Sequence, residues 1–113
     1  MKRKTANIFD DFETATITGS RLDLTILLFC ALDYAMPRET YVTDVVPMII
    51  LRNVKLLRDG DLWTMIDRIN EAEKKEYGLG SANIDRPGWL RFRDNLKAEL
   101  DDREAKRKKE VAK

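Results

Sequence analysis

Twenty carboxylates and not one histidine define the chemistry open to this chain of 113 residues. Without an imidazole it lacks the commonest general base, the commonest zinc ligand and the group that activates a serine or cysteine nucleophile. Carboxylates alone can still do acid–base work, and two spacings offer them in pairs. Asp59 and Asp61 flank Gly60, while Asp67 and Glu71 stand four apart, on one face of a helix. Both pairs have simpler uses: the first falls where one helix ends and the next is capped, and the second lies opposite an apolar stripe. Neither is set among apolar side chains that would displace a pKa toward catalytic use. The reading is of a protein that is not an enzyme, with no catalytic residue, no metal and no cofactor.

Three other stretches invite a chemical reading. "GLGS" at 78–81 lacks the lysine and the spacing of a phosphate-cradling loop, so its glycines serve a turn. "RPGWLRFRDNLK" at 86–97 interleaves Arg86, Arg91, Arg93 and Lys97 with Trp89 and Phe92, as a nucleic-acid platform would. Yet Trp89, Phe92, Leu96 and Leu100 form one helical stripe, and such a stripe faces a core. "CALDYAMPRETYVTDVV" at 30–46 sets Tyr34, Arg38, Glu39 and Tyr41 round a bend at Pro37. Tyr and Arg dominate interface hot spots, and a short path between two capped helices holds them in place before a partner arrives. The corner is either a docking site or a connector in which Tyr41 packs over the helix junction and Arg38 neutralises Asp33.

The elements that must position these residues are helices. Ser20 caps a first helix over 21–36, with Asp23 in the place that completes a capping box. That helix is apolar nearly all round, which predicts a buried central helix with Cys30 as a small core hydrophobe. Its one carboxylate near the C-terminal end, Asp33, needs a cation, from Arg38 or Arg52. Thr43 opens a second helix running to "RDG", where Gly60 terminates it. Its stripe is Val46, Ile49, Ile50, Leu56 and Leu57, with Asn53 amid them as a hydrogen-bonded staple or the mark of an exposed groove. Asp61 caps a third helix with the stripe Leu62, Met65, Ile66, Ile69 and Ala72, and Asp67, Arg68, Glu71, Lys74 and Lys75 opposite. Asp85 and Pro87 start a fourth, whose stripe stops at Leu100. Beyond it, Glu99 precedes Arg103, Asp102 precedes Lys106 and Glu104 precedes Lys108, each four apart in the favourable order, which predicts a solvated helical tail.

The fold class expected is all-α: a compact bundle of about four main helices around a buried central helix, with a charged C-terminal extension. Its parts are an N-terminal arm over 1–18, a helical domain over 19–102 and the tail over 103–113. The net charge of +1 is uneven: Lys2, Arg3 and Lys4 give +3 and residues 103–113 give +4, leaving −6 on the body. An acidic body argues against a nucleic-acid face there and leaves weak, non-specific contact through the basic ends. The apolar run Leu24–Leu32 is nine residues long against the ~20 a membrane span needs, so a cytoplasmic place with no membrane partner is expected.

"ALDYAMPRETY" also resembles a motif of a widespread group of small, largely unannotated phage and prophage proteins, which reads approximately Ala-Leu-Arg-Tyr-Ala-Leu-Gly-Arg-Arg-Thr-Tyr. Ala31, Leu32, Tyr34, Ala35, Arg38, Thr40 and Tyr41 match it, while Asp33, Pro37 and Glu39 depart from it. The resemblance implies a phage-encoded, compact helical accessory protein acting in a bacterial host cell. Genomic context of that kind implies binding to a host protein, as anti-defence inhibitors of CRISPR type do. The acidic body suits a basic, nucleic-acid-handling target. The alternative is a small DNA-binding regulator with the second and third helices as a helix-turn-helix. A third reading is an assembly protein that oligomerises through the first helix or the tail. The surfaces expected to meet a partner are the corner at Tyr34, Arg38, Glu39 and Tyr41 or, failing that, the acidic face at Asp67 and Glu71.

Overall fold

The computed structural model describes residues 18–38 and 42–111, and within them the regular structure is all helical, with no strand. The helices are α1 (Arg21–Ala35), α2 (Val42–Arg52), α3 (Asp59–Glu73) and α4 (Arg86–Val111), with a 3₁₀ turn at Val54–Leu56 between α2 and α3. This is the all-α bundle of four helices that the pattern predicts. The arm up to Ile17 and the corner residues Glu39, Thr40 and Tyr41 lie outside the described residues.

Local chemistry sets the helix starts. The Ser20 hydroxyl accepts the Asp23 N–H at 3.1 Å and the Asp23 carboxylate accepts the Ser20 N–H at 2.9 Å, closing the expected capping box. At the head of α3 the Asp61 carboxylate accepts the Arg58 N–H at 3.0 Å. Asp61 is thus the third residue of the helix rather than its cap, because α3 already starts at Asp59. Gly60 lies inside that first turn instead of ending α2, which stops eight residues earlier than "RDG" suggests. The reason is Asn53: its N–H bonds to the carbonyls of Ile49 and Ile50, and its side-chain amide donates to Ile49 O at 2.8 Å. The staple is therefore local, and it closes the helix.

The core joins the inner stripes of all four helices. Leu62, Met65, Ile66 and Ile69 of α3 face Trp89, Phe92, Leu96 and Leu100 of α4, all buried. Trp89 and Phe92 meet edge to face, 5.9 Å apart at 71°. Leu32, Ala35 and Met36 close one side and Val46 and Ile50 another. Of the expected α2 stripe, Ile49 lies toward the exposed side with Val45 and Met48, and Leu56 is exposed because the helix ends at Arg52 and the 3₁₀ turn resets the phase.

The place of α1 also differs from expectation. Only Thr25, Leu32 and Ala35 along it are buried, while Leu22, Ile26, Leu27 and Tyr34 are at least half exposed, and Cys30 is exposed too. The helix is peripheral. The centre of the bundle is the α3–α4 pair, the most extensive packing in the molecule.

Candidate functional site

Phe29 and Asp33 are four apart on α1, so they share a face, and that face meets α3. Arg68 of α3 lies across both: its guanidinium sits 4.7 Å from the Phe29 ring centroid and binds the Asp33 carboxylate. The cation that Asp33 requires is therefore Arg68, and not Arg38 or Arg52. Helical spacing within one segment cannot reveal such a partner, 35 residues away in the chain. Arg38 is engaged elsewhere, with its guanidinium stacked 3.6 Å from the Tyr34 ring centroid and donating to the Tyr34 carbonyl. It caps the last carbonyls of α1 and does not neutralise Asp33.

Below this ion pair the last turn of α1 and the outward face of α3 enclose an open groove of about 420 Å³. Met36 and Pro37 form one wall, and Asp67, Glu71 and Lys75 form the other, with Asp33 and Arg68 at its head. The groove closes at Gly78, where the chain folds back over the end of α3. A Cβ there would lie 2.0 Å from the Ala72 carbonyl, so only glycine allows this approach. Leu79 then drops into the core and Gly80, at φ 76°, turns the chain toward α4.

The two surfaces singled out in the sequence thus adjoin at one place. Asp67 and Glu71 line the groove, and the Tyr34–Arg38 stack stands at the Pro37 end of it, outside its lining. Glu39 and Tyr41 fall outside the described residues. Glu71 is paired with Lys74 at 3.1 Å, whereas Asp67 makes no ion pair among the described residues. A surface pair such as Glu71–Lys74 is worth little on its own. The groove therefore presents an acidic rim beside an apolar wall. Lys75, which the sequence placed only on a solvated face, is its basic end.

The pair Asp59 and Asp61 does not assemble into a site. Arg103 and Arg107 bind Asp59 at 2.9 and 2.7 Å, and these hydrogen bonds, Arg103 first, hold its carboxyl below the usual carboxylate range. Arg103 further donates to the carbonyls of Leu57 and Val54, at 2.9 and 2.8 Å. From the other side Arg21 donates to Leu56 O at 2.6 Å. Two arginines therefore satisfy the carbonyls of the α2–α3 connection, and Asp59 fixes one of them. No cluster among the described residues has the His, Cys, Asp and Glu content of a metal site.

The tail continues α4 to Val111, and the three expected pairs form: Glu99–Arg103, Asp102–Lys106 and Glu104–Lys108, at 3.9, 3.1 and 3.6 Å. Its cations are therefore largely engaged with carboxylates of the same chain. Among the described residues no helix is long and apolar enough to cross a membrane. Comparison of the chain with protein-family models, with curated proteins and with solved structures finds no match.

Proposed function

We propose that this is a non-enzymatic accessory protein of phage origin that binds and inhibits a host protein, the target being a nucleic-acid-handling component of a defence system. The observation that carries the reading is the groove at the end of α1. It combines an apolar wall, Met36 and Pro37, with a carboxylate rim in which Asp67 is free of ion pairs among the described residues. A basic segment of a partner, of the kind that otherwise holds phosphates, complements such a rim, and charge complementarity of this type governs association rate and partner choice. The stacked Tyr34 and Arg38 beside it add the residue types that anchor interfaces.

The helix-turn-helix alternative fares less well on this surface. The outward face of α3 would be the recognition helix, and it carries Asp67 and Glu71, which phosphates repel. The test is capture of the partner from nuclease-treated and untreated host lysate, followed by direct titration of the purified pair. Asp67→Arg with Glu71→Arg should abolish a capture that survives nuclease, and the intact protein should compete with nucleic acid for the partner. Capture that disappears with nuclease, or that ignores the charge reversals, overturns the reading.

A further inference from the structure

A helix that is apolar on all sides is ordinarily buried on all sides. With about 100° between successive residues, Ile26, Cys30, Tyr34 and Leu27 of α1 project away from the side that holds Thr25, Leu32 and Ala35, and Leu22 stands at the edge of that outer surface. Exposures there run from 50% at Leu27 to 67% at Leu22. On α2, packed beside it, Val45, Met48 and Ile49 are likewise exposed. Cys30 aside, the seven apolar side chains, each leaving on the order of 100 Å² in water, amount to about 700 Å², close to the ~800 Å² per partner of a standard interface and more than a monomer's largest patch usually measures.

We infer that this surface is the interface of a two-fold dimer in which α1 packs antiparallel against α1 of a second copy. Charge decides the occupant and the direction. The outer side of α1 carries an anion at its start, Asp23, and a cation just past its end, Arg38, while Asp33 at its edge is already paired with Arg68 of α3. Hydrogen bonds from Ser20, backbone first, hold the Asp23 carboxyl below the usual range. Parallel pairing sets Asp23 against Asp23 and Arg38 against Arg38. Antiparallel pairing sets each anion against a cation and opposes the two helix macrodipoles favourably. The midpoint between positions 23 and 38 falls beside Cys30, so the two-fold axis passes there, and Leu27 of each copy lies against Tyr34 of the other. A closed isologous contact follows, with residue i meeting j and j meeting i. This interface leaves the lining of the groove free but takes up Tyr34 and Arg38 at its margin, so a dimer would meet a partner through the groove itself.

The experiment uses the full chain in sedimentation equilibrium, with Cys30, the only cysteine, as an internal probe. The wild-type protein should sediment as a dimer and give a dimer band with a short bifunctional maleimide. Ile26→Glu and, separately, Leu27→Arg should weaken dimerisation by about 30-fold or more, as expected of centrally placed anchors, with the helical dichroism retained. Arg38→Glu should weaken it, and Arg38→Glu with Asp23→Arg should recover part of the loss. Cys30→Ser with Leu22→Cys should not crosslink, because positions 22 lie at opposite ends of an antiparallel pair. Efficient crosslinking at position 22 establishes parallel pairing and overturns the assignment. So does a monomeric full chain, whether the surface stays open or deletion of residues 1–17 turns that monomer into a dimer, the latter naming the N-terminal arm as the occupant.

Discussion

The pair α3–α4 and the pair α1–α2 use apolar residues in opposite ways. On α3 and α4 every large aliphatic of the inner stripe is buried, and the outer sides are charged apart from Trp63 and the terminal Val111. On α1 and α2 apolar residues occupy both sides, and the fold of one chain covers only one of them. The difference separates two jobs that hydrophobic residues do. The first pair holds the domain together by itself. The second closes the core with Leu32, Ala35, Val46 and Ile50 and leaves the remainder exposed, as the surface proposed above to meet a second copy.

The contrast can be broken most directly at its strongest point. Trp89→Ala should destabilise the domain by ~3–5 kcal/mol, measured by urea denaturation, because Trp89 is 1% exposed and no neighbour can fill its volume. Trp89→Phe should cost much less, since the indole N–H is buried without an acceptor and its removal relieves an unpaired donor. Within α1 the same comparison can be made on one helix: Leu32→Ala should cost ~2–5 kcal/mol and Leu27→Ala about 0.5 kcal/mol or less, at concentrations where the chain is monomeric. Equal losses would mean that both sides of α1 are structural.

A smaller effect is expected at the polar clasp. Arg103→Ala leaves the Leu57 carbonyl without its donor and the Val54 carbonyl with only the Leu57 N–H, and should cost ~1–3 kcal/mol. Its pH dependence has a definite sign. Because Arg103 and Arg107 lower the pKa of Asp59 in the folded state, the carboxylate stabilises the fold at and above its unfolded pKa, and that contribution disappears as pH falls through the lowered value. Thermal melts should therefore show wild type and Asp59→Asn converging in strong acid and separating above the carboxylate range. The smallest effect belongs to the exposed tail: Lys106→Ala, which removes a surface pair with Asp102, should change stability by less than about 0.5 kcal/mol in the same melts.

Much of this arrangement was legible in the residue order. The box of Ser20 and Asp23 marks the start of α1 because capping is a contact three residues long. The stripes of α3 and α4 point inward as read, since each has a charged side opposite that gives the helix a direction. The glycines of 78–80 mark a turn, and the tail pairs form at the spacing that favours them. The acidic rim at Asp67 and Glu71 was visible as a polar face, though not as the wall of a groove.

Tertiary structure alone decided the rest. A helix with apolar residues all round has no direction written into it, so the outward side of α1 depends on where α2 and α3 dock. The assignment of Asp33 to Arg68, and of Arg21 and Arg103 to the carbonyls of 54–57, depends on distances between segments far apart in the chain. Local spacing carries no information about them. Periodicity and capping are properties of a few consecutive residues, and the sequence determined them; the groove, the clasp and the open side of α1 arise only when whole helices are placed against one another.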